Sequence, residues 1–445
     1  MFSTQKKMYQ RLILFLLVLP ALCMAQQTQL LPLKEAVERA RLHSSQLRAD
    51  SLQQLITTSQ AAQSSAGKLP QLMISSTFQR LSNNIEPFTI SLPTGSFQIN
   101  PQILNQSYNS VQLTQLLYNG GRARNTTKAM QKEAGAAMAD YQRSMLGLDQ
   151  QVIDLWFNLY NARASEKIVQ ANIASLQKRR EDVEAFRIQG IVLENDVLKI
   201  DLSITTLRSS LADLSSLSGS LNYGICILTG IEPDKVIEIP DVYILPAAAI
   251  APLPAYMDAA LSGRPEFKSF KLRSDAAGYR IKAAKADYLP MLNLIGSYNY
   301  DKPNQRIIPN LNQFNYSALA GLSLSWKISS FYTNRSRVTE TRLAAVQLDN
   351  TMQSAKENIQ REVNTYYLEY KKTLDKIILV QTELEQATEN YRVEQNKLNA
   401  QTTTPTDFLI ANTSLLQAQL NVATAKANAG LAYRKLLKST GELTN

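Results

Sequence analysis

The sequence predicts a mainly α-helical chain made of two tandem repeats, each combining long coiled-coil helices with a pair of strands that contributes to a membrane β-barrel. Three observations support this fold class. The 445 residues include only 16 Gly and 16 Pro, one half of the chain repeats the other, and a few short runs alternate apolar and polar residues. Because helix breakers are so few, long uninterrupted helices are expected.

The first 25 residues have the layout of a secretory signal peptide. Lys6, Lys7 and Arg11 precede the apolar run LILFLLVLPAL, which is too short to span a bilayer as a helix. We therefore expect cleavage after Ala25 and an exported mature chain. Cys23 stands where a lipidated cysteine would, but the residue before it is bulky, which is atypical of lipoprotein signals.

The charge of the chain does not favour a nucleic-acid partner. The net charge of +10 falls to +7 without the three cations of the leader, and the basic residues are scattered among acids, as on a solvated helical surface. Without the leader, Cys226 is the sole cysteine, so stability must come from packing or oligomerisation. No other segment is apolar enough for a membrane helix, so any membrane passage must use strands.

Two halves of the chain match at a nearly constant offset. The block that opens with Asp196 matches the block that opens with Asp407, 211 residues later, and upstream Arg124 aligns with Arg335. Nearer the start of each half the offset is 220, so the first half carries nine extra residues in its strand-to-strand connection. We expect a signal peptide at 1–25, a first repeat at 26–230, an irregular, proline-rich connector at 231–254 and a second repeat at 255–445.

Each repeat is predicted to contain a helix of about 35 residues, a strand pair, a very long helix, a short break and another helix of about 35 residues. In the long helix of the first repeat, apolar residues advance alternately by four and three, which is the seam of a helix packed on near-parallel neighbours. The residues of this seam are Tyr141, Met145, Leu148, Val152, Leu155, Leu159 and Ala162. From about Arg122 to Gln189 such a helix is ~100 Å long.

Strands are expected at about 71–80, 108–118, 290–300 and 316–328. In YSALAGLSLSWKI one face is apolar, with Tyr316 and Trp326 near its ends, and PMLNLIGSYNY places Tyr298 and Tyr300 on a similar face. These four aromatic residues are therefore candidates for the membrane interface. The alternative is a set of half-buried strands in a soluble sheet. The run SVQLTQLLY alternates least clearly. Four strands cannot close a barrel, so several chains must pool their strands.

No catalytic or metal-binding pattern is present, and neither enzyme activity nor a cofactor is expected. The single histidine, His43, stands on a predicted helix without an Asp or Cys cluster around it, and no phosphate loop or nucleophile elbow occurs. An enzyme is the least favoured of the functions considered.

The candidate functional residues are the two repeated aspartates. Asp407 completes a Thr-x-x-Asp pattern in which Thr404 is the predicted N-cap and Pro405 the first helical residue. Asn195 is expected to cap the corresponding helix that carries Asp196. Local chemistry therefore explains both acids as helix-capping residues.

The order and duplication of these elements resemble the TolC family of outer-membrane efflux proteins (outer membrane factors). The resemblance covers the whole mature chain: a Leu-Pro before each strand pair, the strand-to-helix junctions LLYNGGRAR and ISSFYTNRSR, an Asp-apolar-Leu after each tip and a closing Thr-Gly. It implies a homotrimer with a 12-stranded β-barrel in outer-membrane lipid and an α-helical barrel in the periplasm. Implied partners are a periplasmic adaptor (membrane fusion) protein and an inner-membrane transporter.

The same resemblance implies a second role for the aspartates. Asp196 and Asp407 would gather at the periplasmic tip, where a ring of carboxylates favours cations. Some relatives carry a second acid in the next turn, whereas this chain has Lys199 and Ile410 there. Arg187 is a candidate partner for closing the tip. The implied function is an exit duct for a tripartite efflux or type I secretion system. The alternative is an exported coiled-coil structural or adhesive protein.

Overall fold

The computed structural model describes residues 28–84, 88–98, 102–240, 250–308 and 310–442. The predicted signal peptide, including Cys23, lies outside the described residues, as do residues 241–249 of the predicted connector. Among the helices described, none combines the length and apolar character needed to cross a membrane.

The first half of the chain contains six strands and four helices in the described residues. In chain order they are β1 (Thr28–Leu30), α1 (Leu33–His43), α2 (Ser45–Ala66), β2 (Gln71–Arg80), β3 (Thr89–Leu92), β4 (Gly95–Gln98), β5 (Asn105–Asn119), α3 (Arg122–Ile188), α4 (Glu194–Thr229) and β6 (Val236–Glu238).

The second half repeats this order without the short strands. Its elements are α5 (Leu253–Gly263), α6 (Pro265–Lys285), a 3-10 turn (Ala286–Tyr288), β7 (Met291–Lys302), β8 (Asn315–Ser325), the single turn α7 (Ser330–Thr333), α8 (Arg335–Asn399) and α9 (Pro405–Thr440).

The tandem repeat is confirmed by the boundaries of the elements. Helices α4 and α9 have 36 residues each and start 211 positions apart, and each ends at a glycine in the left-handed conformation, Gly230 or Gly441. Helices α1 and α5 have 11 residues each and start 220 positions apart. The offsets found in the sequence therefore align elements of the structure residue by residue.

The predicted helix of about 35 residues at the start of each half is interrupted. Helix α1 ends at His43 and α2 begins at Ser45, while α5 ends at Gly263 and α6 begins at Pro265. In the second half, Pro265 lacks the N–H that a continuous helix requires at that position.

The connector between the halves contains a strand that its prolines do not suggest. Strand β6 pairs in parallel with β1, and the side-chain oxygen of Asn222 accepts a hydrogen bond from Ile237 N at 2.8 Å. The indole of Trp156 donates to the Leu31 carbonyl at 2.9 Å just after β1. Two separate helices therefore hold this small sheet through buried polar contacts.

The four long strands form one antiparallel sheet in the order β2-β5-β7-β8. Their bounds lie close to the expected ranges, within three residues at each end. Strand β5 contains a register shift between Leu116 and Tyr118, so Leu117 is an extra residue. A bulge reverses the alternation of the strand, which explains why the sequence of β5 alternates least clearly.

The connection between β2 and β5 carries a short hairpin. Strands β3 and β4 pair with each other around the turn at Pro93 and Thr94. Four-residue strands give too little alternation to predict from the sequence.

The contacts divide the chain into two units. The tip unit comprises the described residues of Met1–Ala49, Gln142–Arg264 and Lys356–Asn445, and the sheet unit comprises Asp50–Tyr141 and Pro265–Ala355. The helical part of the sheet unit is packed largely through buried alanines, which allow helices to approach closely: Ala129, Ala136, Ala139, Ala276, Ala277 and Ala284.

The core of the tip unit joins the four long helices near the ends of α3 and α8. Its buried members are Val169, Ile173, Leu176 and Val183 of α3, Val197, Ile200 and Ile204 of α4, Leu398 of α8, and Phe408 and Leu416 of α9. This cluster anchors the two helix-to-helix turns. The candidate residues Arg187, Asp196 and Asp407 lie in the helical residues that flank these turns.

Candidate functional site

The turn after α3 and the turn after α8 have the same backbone hydrogen bonds. Ile191 N donates to Phe186 O and Gly190 N donates to Arg187 O, both at 2.9 Å. The equivalent bonds in the second turn run from Thr402 N to Lys397 O at 2.9 Å and from Gln401 N to Leu398 O at 3.0 Å. Both turns are Schellman motifs, which satisfy carbonyls at a helix C-terminus.

The two turns differ at their left-handed residue. Gly190 has φ +73°, and the equivalent residue Gln401 has φ +60°. A residue with a Cβ is strained in this conformation, whereas glycine is not. The second turn therefore holds backbone strain that the first avoids.

The second turn leads into a capped helix, as the sequence predicts. The Thr404 hydroxyl donates to the Asp407 carboxylate at 2.7 Å, and Asp407 N donates to Thr404 Oγ1 at 3.2 Å. Pro405 occupies the first helical position. The predicted N-cap of α9 is therefore confirmed.

The Asp407 carboxylate is exposed and ionised. The hydroxyl bond from Thr404 lowers the pKa of this carboxyl below its ordinary value. The Thr403 hydroxyl lies 3.4 Å from Asp407 Oδ2 and 3.0 Å from Glu394 Oε2, and Glu394 pairs with Lys397 at 2.8 Å. In the described part of the chain, Asp407 itself has no ion pair, so its charge faces solvent.

The first turn is capped differently. The N-cap of α4 is Leu193, whose side chain has no hydrogen-bond acceptor, and the Asp196 carboxylate accepts from Leu193 N at 3.3 Å. Asn195 is the second residue inside the helix, so the expectation that it caps α4 is wrong. Only the carboxylate half of a capping box forms here, because leucine cannot supply the other half.

Lys199 pairs with Asp196 and also contacts the second repeat. Its ammonium lies 3.1 Å from Asp196 Oδ1 and 2.9 Å from Thr406 Oγ1 in the first turn of α9. Side chains of a helix lean toward its N-terminus, which brings Lys199 back over the first turn. The Asp196 side chain is only 17% exposed. The two repeated aspartates therefore have opposite environments.

Arg187 does not contact either aspartate in this structure. It forms a bidentate pair with Glu184 on its own helix, at 2.6 and 2.9 Å, and this pairing lowers the pKa of Glu184. The spacing of three residues on a helix is that of an ordinary ion pair, so the sequence could have indicated this partner.

Two other arginines join the helices near the turns, and the sequence analysis missed both. Arg179 donates to the Asn399 side chain at 2.8 Å and lies 5.6 Å from the ring centre of Phe408, and Arg180 pairs with Asp201 at 2.6 and 3.1 Å. Arg179 also pairs with Asp182 on its own helix at 2.8 Å. The contacts with Asn399, Phe408 and Asp201 reach other helices, and no local pattern identifies them.

The three tyrosines among the interface candidates lie on one face of the sheet. Tyr298 stacks on Tyr316 with ring centres 6.2 Å apart, and Tyr300 stacks on Phe314 at 5.1 Å. Trp326, one residue after β8, donates its indole N–H to the Tyr288 carbonyl at 3.0 Å. Among them the three tyrosines cluster near one end of the β7-β8 pair and Trp326 lies at the other.

The sheet has one apolar and one polar face. Because opposed residues of antiparallel strands share a face, the register aligns side chains across all four strands. The apolar face includes the rows Ile74, Val111, Tyr298, Ala318 and Leu72, Leu113, Gly296, Ala320, and the polar face includes the row Ser75, Ser110, Asn299, Ser317.

The polar face carries almost no charge. Among the side chains that the register places there, only Asp301 is charged at neutral pH, and it accepts a hydrogen bond from Asn109 N at 3.0 Å. Within the described residues, no group of three or more His, Cys, Asp and Glu side chains has the geometry of a metal site.

The comparisons with known proteins identify the family. The sequence profile described as "Outer membrane efflux protein" matches residues 36–215 and 256–442. The "Outer membrane efflux protein BepC" of Brucella suis biovar 1 is 24% identical over 196 residues, which cover 42% of this chain and 40% of that protein. The match therefore spans less than half the length of this relative.

Solved outer-membrane proteins share the fold. The outer membrane protein VceC of Vibrio cholerae superposes with a TM-score of 0.78 at 16% identity, covering 93% of this chain and 97% of that one. The outer-membrane channel OprN superposes with a TM-score of 0.76 at 19% identity, covering 92% and 89%.

These findings confirm the resemblance to a family of outer-membrane efflux proteins. Nothing in them supports an exported structural or adhesive protein. The profile covers both repeats and most of the chain, and this chain belongs to the outer membrane efflux protein family.

Proposed function

We propose that the chain forms a homotrimeric exit duct in the outer membrane. Three copies pool their four strands into a 12-stranded barrel, and their helices continue as an α-helical tunnel in the periplasm. The duct is passive. A periplasmic adaptor and an inner-membrane transporter, of an efflux or type I secretion system, open it at its periplasmic end. The domain boundaries expected from the sequence remain part of this proposal.

The observation that carries the proposal is the incomplete four-stranded sheet. In the described part of the chain, β2 and β8 each pair on one side only. The apolar face is open as well, with Ile74 74% and Leu324 70% exposed. Unpaired edges and an uncovered apolar face are both unfavourable in water. Lipid against the face and further copies at the edges remove both costs.

The length of the strands suits a membrane. Tyr316 and Trp326 are ten residues apart, which is ~33 Å along a strand. At the tilt of about 40° usual in barrels, this distance covers about 25 Å of membrane, the height of the apolar band of outer-membrane barrels. We propose that Tyr298, Tyr300 and Tyr316 lie at one interface and Trp326 at the other.

The polar face is then the wall of the lumen. Its rows of Ser and Asn side chains hydrate a channel without binding ions strongly, and Ser75 and Ser110 already bond to each other at 2.7 Å. With a single charged residue per chain on this face, the strands contribute little to ion selectivity.

We propose that the gate lies at the turns after α3 and α8. Both aspartates stand in the first turn of a helix, where a carboxylate stabilises the helix N-terminus, so capping and gating are compatible roles. Asp407 presents a charge without an ion pair, whereas the charge of Asp196 is neutralised by Lys199. Arg187 can help to close the gate only if its pair with Glu184 opens.

The assembly is tested with the mature protein purified in detergent. Native mass spectrometry is expected to find a trimer, and planar bilayers are expected to show discrete channels. A mature chain that remained monomeric and soluble without detergent would exclude the duct.

The gate is tested separately. Asp196→Ala combined with Asp407→Ala is expected to raise single-channel conductance, because the double variant removes polar contacts that hold the turns. If conductance and ion selectivity both stayed at the wild-type values, the aspartates would be caps only.

A further inference from the structure

We propose that Lys199 is a positioning residue of the gate, which ties the first turns of α4 and α9 together and cancels the charge of Asp196. The proposal rests on the duct described above. It deepens that proposal by naming the residue that controls opening at the turn after α3. Lys199 has no polar counterpart in the second repeat, where the equivalent residue is Ile410, 61% exposed.

The geometry makes Lys199 a bridge between repeats and not only a surface ion pair. Its ammonium has a carboxylate partner on its own helix at 3.1 Å and a hydroxyl partner on α9 at 2.9 Å. Thr406, which supplies that hydroxyl, lies between Pro405 and Asp407 in the first turn of α9. Movement of one helix start away from the other must break the contact with Thr406.

The bridge also decides which aspartate contributes charge. With Lys199 beside it, Asp196 adds no net charge to its turn. Asp407 bonds to the neutral hydroxyls of Thr403 and Thr404, and Lys397, whose charge also acts on it, is already paired with Glu394 at 2.8 Å. Each chain therefore presents one uncompensated carboxylate from this pair. We infer that the bridge holds the turns in their closed arrangement. It also leaves Asp407 as the one carboxylate of the pair that acts on ions in the gate proposed above.

The test separates the tie from the charge by measuring two quantities in planar bilayers. The first is the fraction of time that single channels are open, and the second is the reversal potential in a KCl gradient, which reports ion selectivity. Lys199→Met removes both functions of the lysine. The ratio of open to closed channels is expected to rise about two- to fivefold, because the lost contact with Thr406 is a partly exposed contact of a charged group and is as weak as a surface ion pair. Cation preference is expected to increase.

Thr406 provides a variant that changes the tie alone. Thr406→Val deletes the hydroxyl and leaves the pair of Lys199 with Asp196, so open channels become more frequent while the reversal potential stays the same. Thr406→Ser keeps the hydroxyl and is expected to behave as the wild type. A purely structural role for Thr406 would not produce this rescue together with an unchanged reversal potential.

Ile410 provides a matched variant for the charge alone. Ile410→Lys places an ammonium three residues after Asp407, the spacing of Lys199 to Asp196, and is expected to reduce cation preference. In the combination of Lys199→Met with Ile410→Lys the net charge is that of the wild type. Its reversal potential should return to the wild-type value while the open fraction stays raised.

The outcomes are distinguishable from failure of the duct itself. A wild-type protein without channels would overturn the duct, not the bridge. Normal wild-type channels with an unchanged open fraction in both Lys199→Met and Thr406→Val would overturn the bridge. If Lys199→Met did not assemble, Thr406→Val would still test the contact between the repeats, and Ile410→Lys would still test the effect of charge on selectivity.

Discussion

The two helix turns of the tip unit have the same backbone and different chemistry. Gly190 and Gln401 occupy the same left-handed position, and Asp196 and Asp407 occupy the same place in the following helix. Around them the side chains diverge: a leucine cap, a lysine bridge and a half-buried acid in the first repeat, and a threonine cap and an exposed acid in the second.

The difference shows that duplication preserves the fold of a tip more strictly than its charge. The Schellman turn and the third-position aspartate depend on local geometry, which both copies keep. Charge depends on neighbours outside the turn, such as Lys199, and these are free to differ between the copies. A channel built from such repeats can therefore use one tip to hold contacts and the other to present a carboxylate.

The largest difference between the tips is expected in the core below them. Phe408 is fully buried, with its ring centre 5.5 Å from that of Tyr391, and its equivalent in the first repeat is the smaller Val197. Phe408→Ala should lower the free energy of unfolding by about 3–5 kcal/mol. Val197→Ala should cost about 1–2 kcal/mol. Denaturant titration of the detergent-solubilised protein measures both, and equal costs would contradict the asymmetry.

The left-handed residues allow a reciprocal exchange. Gly190→Ala is expected to destabilise the protein by about 1–2 kcal/mol, because the new Cβ is strained at positive φ. An added Cβ there meets nothing within 4 Å, so the cost is in the backbone alone. Gln401→Gly should stabilise by about 0.5–1 kcal/mol for the converse reason. Changes of the same sign in the same titration would contradict the account of the turns.

The caps distinguish the tips by a smaller amount. Thr404→Ala removes the hydroxyl that serves Asp407 and should cost about 1 kcal/mol. Leu193→Ala removes a side chain that makes no capping bond, and little change is expected. Circular dichroism during thermal unfolding measures the pair. A loss for Leu193→Ala equal to that for Thr404→Ala would show that the side-chain cap contributes nothing.

The pH dependence of stability sharpens the difference further. The Thr404 hydroxyl lowers the pKa of Asp407 below its ordinary value of 3.8. A carboxyl with a lowered folded-state pKa stabilises the fold above its unfolded pKa, and this contribution disappears as the pH falls through the folded pKa. Asp407→Asn should therefore be less stable than the wild type near neutral pH, and the gap should close below about pH 4. A gap that is independent of pH in urea titrations would contradict this role of the charge.

Much of the fold is predictable because it depends on periodic burial. The stripe through Val152 and Leu159 buries against neighbouring helices, and both residues are nearly inaccessible, so a sequence pattern carries the information. The strands are predictable for the same reason, except where the extra residue Leu117 interrupts alternation. The β3-β4 hairpin and the β1-β6 pair are too short to leave a pattern.

The site is predictable only where its contacts are local. Thr404 and Asp407 are three residues apart, so their cap follows from the sequence. The contact of Lys199 with Thr406 joins residues 207 positions apart, and the contact of Arg179 with Asn399 joins residues 220 apart. Such pairs depend on how the helices pack, which neither residue encodes alone.

Only one of the two repeated carboxylates is uncompensated in this structure, and a charge-balanced comparison of variants tests this most directly. In planar bilayers under a KCl gradient, Asp407→Asn removes a free charge, whereas Asp196→Asn with Lys199→Met removes a neutral pair. We predict that Asp407→Asn lowers cation preference and that the double variant keeps the wild-type reversal potential. A double variant that shifts the reversal potential as far as Asp407→Asn does would contradict the claim.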